Sequence, residues 1–460
     1  MEYLHGGDIY TNQGMTDFSV NVNPYGPSKA VMRAAKLAMA RIGEYPDPRC
    51  QGLREYLAAE LGVEQNHLVF GNGAAELIYD LVRTEKPKKA VIAVPSFAEY
   101  ERALNSVDCW IQYYTCREEN GFVMQEDFMD LLTEDVDMVF LCSPGNPAGT
   151  VIPKILMRKI MIRCEFLRIR LVLDQCFFEF MAEDEDDLFL TFKNDLHEST
   201  KKYPSLFLLR AFTKMYAMPG LRLGYGICQD ERLLERMEEC RQPWSVSIPA
   251  QEAGIAAIKD QKRVRNIRGF LLRERRWLEK ELDKLRIPYF PSKANYILLK
   301  SELDLYELLK EYRILIRDCS NFRGLRKGFY RIAVRQRGDN QKLIDALQEI
   351  YEAAQAEQIL REMEEEKRLQ REAQEAAEKA ARAAEEEIEA AEKALKVSEE
   401  EAAATSKEVG QDKAEEALEE VGIEVSEEMA QDKNEETPEE RTEVPKEQEA
   451  MPEKKQAEMI

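Results

Sequence analysis

The sequence predicts an α/β fold: a mostly parallel central sheet flanked by helices, followed by a smaller α+β domain. The main observation is four short apolar runs that end in polar or turn-forming residues, at 89–97 (KAVIAVPSF), 136–144 (VDMVFLCSP), 169–178 (IRLVLDQCFF) and 205–212 (SLFLLRAF). Segments with helical spacing, such as PKILMRKIMIRCEFLR, lie between these runs. This alternation is typical of βαβ units, and the runs are apolar throughout because both faces of a parallel sheet are covered.

Two changes of composition divide the rest of the chain. Residues 241–355 contain a long charged helical segment at about 250–285, and then the strand patterns ANYILLK and YRIAVR around the helical pattern DLYELLKEY. From residue 356 the sequence is rich in Ala, Glu, Lys and Gln, which favours a solvated single helix that gives way to disorder at about residue 400. We therefore predict an N-terminal arm (1–30), a large domain (31–240), a small domain (241–355) and an acidic tail (356–460).

The charge distribution excludes some classes of partner. The 460-residue chain has a formal charge of −22, and residues 361–460 alone contain 34 acidic and 15 basic side chains. The nearly neutral remainder argues against a nucleic-acid-binding surface, which needs a basic face. No apolar run approaches the roughly 20 residues of a membrane span. The start, MEYLHGGDIY, lacks the basic and apolar regions of a signal peptide.

Cysteine and histidine usage points to a cytoplasmic protein without a metal. None of the nine cysteines has Cys-x-x-Cys spacing, so we expect reduced thiols and no disulfide framework. The three histidines, at positions 5, 67 and 197, show no ligand spacing. Neither a metal site nor a Ser-His-Asp triad is therefore supported.

Polar residues at the ends of three apolar runs are the candidates for chemistry, because ligands of parallel sheets bind at the carboxyl ends of the strands. Burial would make Lys214 a nucleophile toward carbonyl groups, although a lone lysine is more often an exposed turn residue. Asp174 could pair with a protonated ring nitrogen, cap a helix or be solvated. Asn146, in SPGNPAGT, lies either in an ordinary Pro/Gly turn or in a rigid support for an amide that contacts a ligand oxygen.

A glycine-rich turn supplies a candidate anion site. In FGNGAAELI (70–78) the backbone N–H groups of Gly73, Ala74 and Ala75 open a helix, where they could bind a phosphate, with Arg222 as a second anchor. Alone this turn is a weak signal. Together with the amide, the carboxylate and the lysine named above, it meets the requirements of pyridoxal 5'-phosphate (PLP).

The motifs NPAG, DQCF and TKMYAMPGLRLGY, in this order, resemble those of the fold-type I PLP enzymes of the class I/II aminotransferase superfamily. The resemblance covers residues 1 to about 355. It implies that Lys214 carries PLP, that Asp174 pairs with the pyridine nitrogen and that Asn146 contacts the ring hydroxyl. It also implies four further cofactor contacts: Phe97 on the ring, Thr213 and Arg222 on the phosphate, and Tyr45 on the phosphate across a homodimer interface.

Within this superfamily the chain is similar to two groups. NVNPYGP and ILIRDCSNFRGL resemble histidinol-phosphate aminotransferases, whereas HGGDIY, FAEYERAL, QPWSVS and RILIRDCSNFRGLRKGFYRIAVR are closer to L-threonine O-3-phosphate decarboxylases of cobalamin biosynthesis. This resemblance implies that Arg331 binds the substrate carboxylate. It also implies that His5, Asn23 and Tyr25 lie near the substrate phosphate. Without it, His5 would be a frayed terminus and Arg331 could equally be an ion-pair residue at a strand edge.

Two departures from the family pattern matter. Ala211 stands where the family commonly has a hydroxyl residue, so we expect one hydrogen bond to the cofactor phosphate to be missing. Phe177 lacks the hydroxyl of the tyrosine found in aminotransferase relatives, which favours the decarboxylases. We therefore predict a PLP-dependent enzyme that decarboxylates L-threonine O-3-phosphate.

Two alternatives remain open. A histidinol-phosphate-type aminotransferase would use the same site, because decarboxylation and transamination differ in which bond at Cα stands perpendicular to the cofactor ring. A non-catalytic scaffold or sensor that interacts through the acidic tail is the alternative of another class. The intact set of Asp174, Lys214 and Arg222 argues against it.

Overall fold

A computed structural model of the chain describes residues 5–181 and 200–405. The chain divides into two units, Met1–Gln358 and Ile359–Ile460. The predicted disorder from about residue 400 falls almost entirely on 406–460, outside the described residues. Within the described ranges no helix is long and apolar enough to cross a membrane.

The larger unit is organised around a seven-stranded sheet. Its order is β2-β8-β7-β6-β5-β3-β4, and every neighbouring pair is parallel except the two pairs that β8 makes. The strands are β2 (Leu68–Gly71), β3 (Lys89–Val94), β4 (Trp110–Thr115), β5 (Met138–Cys142), β6 (Arg170–Asp174), β7 (Leu206–Ala211) and β8 (Gly224–Cys228). All four predicted strands are present, and the predicted fold class is confirmed.

Both faces of this sheet are covered, which explains the continuous apolar runs. In β6 the successive residues Leu171, Val172 and Leu173 are all buried, and they alternate between two hydrophobic clusters on opposite faces. The covering helices are α1 (Lys29–Ala38), α2 (Gln51–Leu61), α3 (Gly73–Glu85), α4 (Ala98–Asn105), α5 (Lys154–Leu167), α6 (Glu231–Cys240) and α7 (Ile248–Ile258). The polar residues that follow β5, β6 and β7 consequently meet at one edge of a rigid, buried scaffold.

A second, smaller sheet follows α8 (Gln261–Lys284) and has the order β12-β13-β10-β9, antiparallel throughout. Its strands are β9 (Tyr289–Phe290), β10 (Tyr296–Lys300), β12 (Arg317–Asp318) and β13 (Phe329–Ala333), and α9 (Leu305–Glu311) lies between β10 and β12 in sequence. The N-terminal arm joins this region because β1 (Thr16–Asp17) pairs in parallel with β11 (Ile314–Leu315). The arm also contacts the small sheet itself, because the backbone N–H of Ala333 donates to the carbonyl oxygen of Phe18 at 2.9 Å.

The structure differs from the predicted helix boundaries in two places. The single long helix expected at about 250–285 is two helices, α7 and α8, because Asp260 leaves the helical region with φ −102° and ψ 48°. The helix expected from residue 356 already begins at Arg337 and runs to Thr405 as α10. Within this helix, every residue from 355 to 402 is exposed.

Candidate active site

A cavity of about 230 Å³ lies at the carboxyl ends of β5, β6 and β7. The strand register creates it, since Cys142 of β5 pairs with Asp174 of β6, and Asp174 pairs with Leu209 of β7. The residues predicted for the site that line this cavity are His5, Ala74, Ala75, Phe97, Asn146, Asp174, Thr213, Lys214, Arg222 and Arg331. Residues far apart in sequence thus form one site.

Lys214 follows β7 and is enclosed by the cavity walls. Its Nζ donates to Oδ1 of Asn21 at 3.2 Å and lies 5.7 Å from the centre of the Phe177 ring. Burial, followed by the positive charge of Arg331, lowers the pKa of the Lys214 amine from 10.5 to about 8. A substantial fraction of the amine is therefore neutral just above physiological pH, as a nucleophile toward an aldehyde requires.

Asp174 ends β6 with both carboxylate oxygens engaged. The hydroxyl of Tyr100 donates to Oδ2 at 2.5 Å, and the backbone N–H of Cys176 donates to Oδ1 at 2.8 Å. Burial raises the pKa of Asp174, whereas these hydrogen bonds and the charge of Lys214 lower it. A buried carboxylate oriented in this way is suited to a cationic ring nitrogen that enters the cavity.

The start of α3 and Arg222 form a site for an anion. Gly73 has a φ of +78°, and a Cβ at this position would lie 2.3 Å from the Nη2 atom of Arg222. The guanidinium therefore packs directly on the backbone that opens α3, next to Ala74 and Ala75. Free N–H groups at a helix start together with a guanidinium match a phosphate dianion. Among the described residues this cradle is the feature that best fits the phosphate of PLP.

Thr213 and Ala211 both line the cavity, and of these two only Thr213 has a hydroxyl group. The expected loss of one hydrogen bond to the cofactor phosphate at Ala211 stays a prediction.

Asn146 and Arg331 form a buried pair on another wall. Nη1 of Arg331 donates to Oδ1 of Asn146, and Nη2 donates to the carbonyl oxygen of Ser19 at 2.7 Å. Because its Oδ1 is taken by Arg331, Asn146 is left with its Nδ2 as the donor for a ligand oxygen. Both side chains are more than nine-tenths buried.

A larger polar cavity of about 570 Å³ adjoins the first one, and the two share His5, Phe97, Arg317 and Phe322 in their walls. Arg317 is buried at this boundary, and its guanidinium donates to the carbonyl oxygen of Asp318 at 2.7 Å. Arg317 therefore presents a positive charge where a substrate would extend outward from the inner cavity.

His5 lies at the same boundary and belongs to the N-terminal arm. Its Nε2 is 3.0 Å from Oε1 of Glu99, and its ring centre is 5.6 Å from that of Phe97. These contacts tie the arm to the start of α4, over the ring that is predicted to stack on the cofactor.

Four predicted residues do not line the cavity: Gly73, whose backbone opens α3 against Arg222, and Asn23, Tyr25 and Tyr45. Asn23 is buried, but its Nδ2 donates to the carbonyl oxygen of Met215 at 2.9 Å, and its Oδ1 accepts from the backbone N–H of Tyr25 at 3.0 Å. Tyr25 is half-exposed. Tyr45 is 77% exposed, and its ring centre lies 4.5 Å from that of Trp244. Their expected contacts with the substrate phosphate and with a partner's cofactor stay predictions.

Sequence reasoning missed three residues of the site: Asn21, Tyr100 and Arg317. Tyr100 lies three residues after Phe97 at the start of α4, a spacing that places both rings on one helix face. Asn21 and Arg317 lie inside two motifs that carry the family resemblance, NVNPYGP and ILIRDCSNFRGL. Nothing in their local sequence indicates that they reach Lys214 or the cavity boundary.

Residues 13–349 match the family described as aminotransferase class I and II. The chain therefore belongs to this family, which uses PLP as its cofactor. The predicted family and cofactor are confirmed.

Two individual relatives and one solved structure are similar to most of the chain. Threonine-phosphate decarboxylase of Salmonella typhimurium is 35% identical over 358 residues, covering 75% of this chain and 96% of that protein. A putative threonine-phosphate decarboxylase of Caldanaerobacter subterraneus is 38% identical over 359 residues, covering 76% and 94%. Among solved structures, histidinol-phosphate aminotransferase of Clostridium acetobutylicum has a TM-score of 0.67 at 28% identity, covering 73% of this chain and 99% of that one.

Proposed function

We propose that this protein decarboxylates L-threonine O-3-phosphate to (R)-1-amino-2-propanol phosphate, as a step of cobalamin biosynthesis. The observation that supports this most is the pair of buried guanidinium groups, Arg331 in the inner cavity and Arg317 at its outer boundary. The substrate carries a carboxylate at one end and a phosphate at the other, and a guanidinium matches either group. Two relatives named for this reaction match the chain over almost their full length.

The residues around the inner cavity divide the work of holding PLP. The cradle at the start of α3, with Thr213 and Arg222, binds the phosphate, while Phe97 covers the ring. Asn146 would donate from Nδ2 to the ring oxygen, and Asp174 would hold a proton at the pyridine nitrogen. When bound, PLP supplies an electron sink for a bond at Cα that stands perpendicular to its ring.

Substrate orientation then decides which bond breaks. Arg331 holds the carboxylate, and we propose that Arg317 and His5 receive the phosphate at the other end. With both ends fixed, the carboxylate would be the group at Cα oriented for cleavage, and bound PLP would supply the electron sink for its loss as CO2. Lys214, as the ammonium form, donates a proton to Cα in place of the lost carboxylate.

The alternative is a histidinol-phosphate-type aminotransferase. In that reaction Lys214 would remove the proton at Cα, which requires that the Cα–H bond stands perpendicular to the ring. The structural similarity to a histidinol-phosphate aminotransferase supports this alternative. Phe177 lies close to Lys214 without a hydroxyl group, which agrees better with the decarboxylase resemblance.

We also propose that the enzyme is a cytoplasmic homodimer. Exposed large apolar side chains precede Tyr45 closely in sequence, at Leu37, Met39 and Ile42, and the exposed ring of Trp244 lies 4.5 Å from the Tyr45 ring. Such a set of side chains favours burial against a second copy. From there Tyr45 would reach the partner's cofactor phosphate. The free thiols of all nine cysteines support a reducing compartment.

The cofactor assignment is tested by visible absorbance. We expect the purified protein with PLP to show a yellow absorption band that Lys214→Ala lacks, because Lys214 is the only lysine among the described residues that lines the inner cavity. Lys259→Ala, which removes an exposed lysine over Tyr56, should keep the band. An unchanged band in Lys214→Ala, or no band in the wild type, would contradict the assignment.

A further inference from the structure

A cluster of polar side chains supports the turn from which α3 begins. Oε2 of Glu76, in the first turns of α3, accepts from the backbone N–H of Asn72 at 2.7 Å and from Oγ of Ser245 at 2.8 Å. Nη2 of Arg241 donates to the same carboxylate oxygen at 3.4 Å and to Oγ of Ser245 at 2.7 Å. The Glu76 carboxylate thus ties the turn to the segment that joins α6 to α7.

Asn72 does not cap α3 with its own side chain. Its Nδ2 donates instead to the carbonyl oxygen of Ser245 at 2.9 Å, and its side chain makes no capping hydrogen bond to α3. An asparagine at this position commonly accepts from one of the first N–H groups of the helix. Because Asn72 is turned toward Ser245, the N–H groups of Gly73, Ala74 and Ala75 are available to the cofactor phosphate.

Arg241 supplies the positive charge of this cluster. Its side chain is 11% exposed, and Nη1 donates to the carbonyl oxygen of Phe70 in β2. Its Nε lies 3.9 Å from Oδ2 of Asp80, one turn further along α3. Without this guanidinium, the Glu76 carboxylate would place an uncompensated negative charge near the phosphate site and would repel the phosphate. A carboxylate at this position therefore serves the geometry of the turn and not the attraction of the anion.

We propose that Glu76, held by Arg241 and Ser245, is a positioning residue for the cofactor phosphate. Its carboxylate fixes the N–H of Asn72 and thereby the direction of the three N–H groups that follow, without touching the cofactor. The proposal rests on the assignment of the PLP phosphate to the start of α3. It does not depend on which bond at the substrate Cα breaks, so an experiment without substrate judges it separately from the proposed decarboxylation.

The test compares two ligands of the apoprotein, PLP and pyridoxal, which differ only in the phosphate. For Glu76→Ala we expect the Kd of PLP to rise at least about tenfold, because the turn loses a hydrogen bond to a charged acceptor. The Kd of pyridoxal should change less than about twofold. Removal of a negative charge would by itself act in the opposite direction and tighten PLP binding. Glu76→Gln keeps an acceptor for the Asn72 N–H and should recover part of the lost affinity.

Asp80→Ala is the matched control, because it removes a carboxylate near the same guanidinium but one turn further from the phosphate site. Both titrations are made at pH 8, where Asp80 is ionised although burial raises its pKa to about 6. The ratio of the two Kd values for Asp80→Ala should stay within about twofold of the wild-type ratio. Ser245→Ala removes one support of Glu76 and should raise the Kd of PLP about threefold, so it serves as the test if Glu76→Ala does not fold.

Equal changes in the Kd values of PLP and pyridoxal for Glu76→Ala would overturn the proposal, because the cluster would then only stabilise the fold. An equal loss of PLP affinity in Asp80→Ala would overturn it as well. A wild-type apoprotein that binds PLP no more tightly than pyridoxal would overturn both the proposal and the phosphate cradle. None of these results bears on whether L-threonine O-3-phosphate is the substrate.

Discussion

Asp174 has a hydrogen-bond donor on each oxygen, one from the phenol of Tyr100 and one from the backbone of Cys176. The Tyr100 ring is fully buried and stacks on Phe140 with centres 5.0 Å apart, and it meets Phe97 edge-on at 5.8 Å. Tyr100 thus contacts both Phe97, which is predicted to stack on the cofactor ring, and the carboxylate of Asp174. Burial raises the pKa of Asp174 and the hydrogen bond from the phenol lowers it, so the phenol favours the ionised carboxylate.

Replacing Tyr100 with Phe should lower kcat about 10–100-fold with little change in KM. The reason is that a hydrogen bond to a buried carboxylate contributes about 1.5–3 kcal/mol, and Asp174 without it holds the pyridine proton less well. Steady-state kinetics and the visible spectrum of the bound cofactor check this. The matched control is Tyr114→Phe, which removes an equally short bond to Asp127 outside the cavity. Wild-type kcat and spectrum in Tyr100→Phe would rule out this role.

At the scale of elements, β8 approaches the start of α3 so closely that no side chain fits between them. A Cβ at Gly224 would lie 2.3 Å from the backbone nitrogen of Ala74, and a Cβ at Gly73 would meet the guanidinium of Arg222. The antiparallel β8, between β2 and β7, brings Arg222 back to the edge where α3 begins. The phosphate cradle is therefore a product of sheet topology.

Gly73→Ala should weaken PLP binding at least about tenfold, because the new methyl group displaces the Arg222 guanidinium from the cradle. The measurement is the Kd from titration of the apoprotein with PLP. Gly121→Ala is the control for backbone strain, since Gly121 also has a positive φ, of 60°, but open space at its Cβ position. If both variants bind PLP equally well, the guanidinium does not form part of the cradle.

A residue of the site could be predicted from the sequence when it lies at the end of a strand, and could not when its place depends on a contact distant in sequence. Asp174, Asn146 and Lys214 were predicted because each follows an apolar strand, and parallel strands align their ends. Asn21 is 193 residues from Lys214, and Tyr100 is 74 residues from Asp174. Contacts over such separations depend on the packing of the arm and of α4, which local patterns do not encode.

The same distinction applies to the elements. The four continuous apolar strands were predicted, whereas β4 was not singled out because its exposed and polar positions interrupt the apolar pattern. The break between α7 and α8 was missed, since a lone Asp260 in a charged segment gives little signal. The division into a large domain, a small domain and a tail stays a prediction.

For the whole molecule, the acidic tail is separable from the chemistry. The family match ends at residue 349, and residues 355–402 of α10 are exposed. The start of α10 is different, because the buried Glu274 accepts from Arg337 and Asn340 there. We therefore expect the first turns of the helix to stabilise the fold and the exposed part to contribute little to its stability.

A chain truncated after residue 360 should retain kcat within about twofold of the full-length enzyme, because Arg331 is the last of the described residues that line the cavity. Steady-state kinetics and thermal unfolding of both proteins check this. A large fall in kcat at unchanged stability would show that the tail takes part in the reaction.

The most direct test of the central claim is product analysis of the purified, PLP-loaded enzyme with two substrates. We predict stoichiometric release of CO2 and 1-amino-2-propanol phosphate from L-threonine O-3-phosphate. With histidinol phosphate as the amino donor and 2-oxoglutarate as the acceptor, we predict no formation of glutamate. Arg331→Ala should abolish the CO2 release. Transamination of histidinol phosphate without any CO2 from L-threonine O-3-phosphate would contradict the proposal and establish the aminotransferase instead.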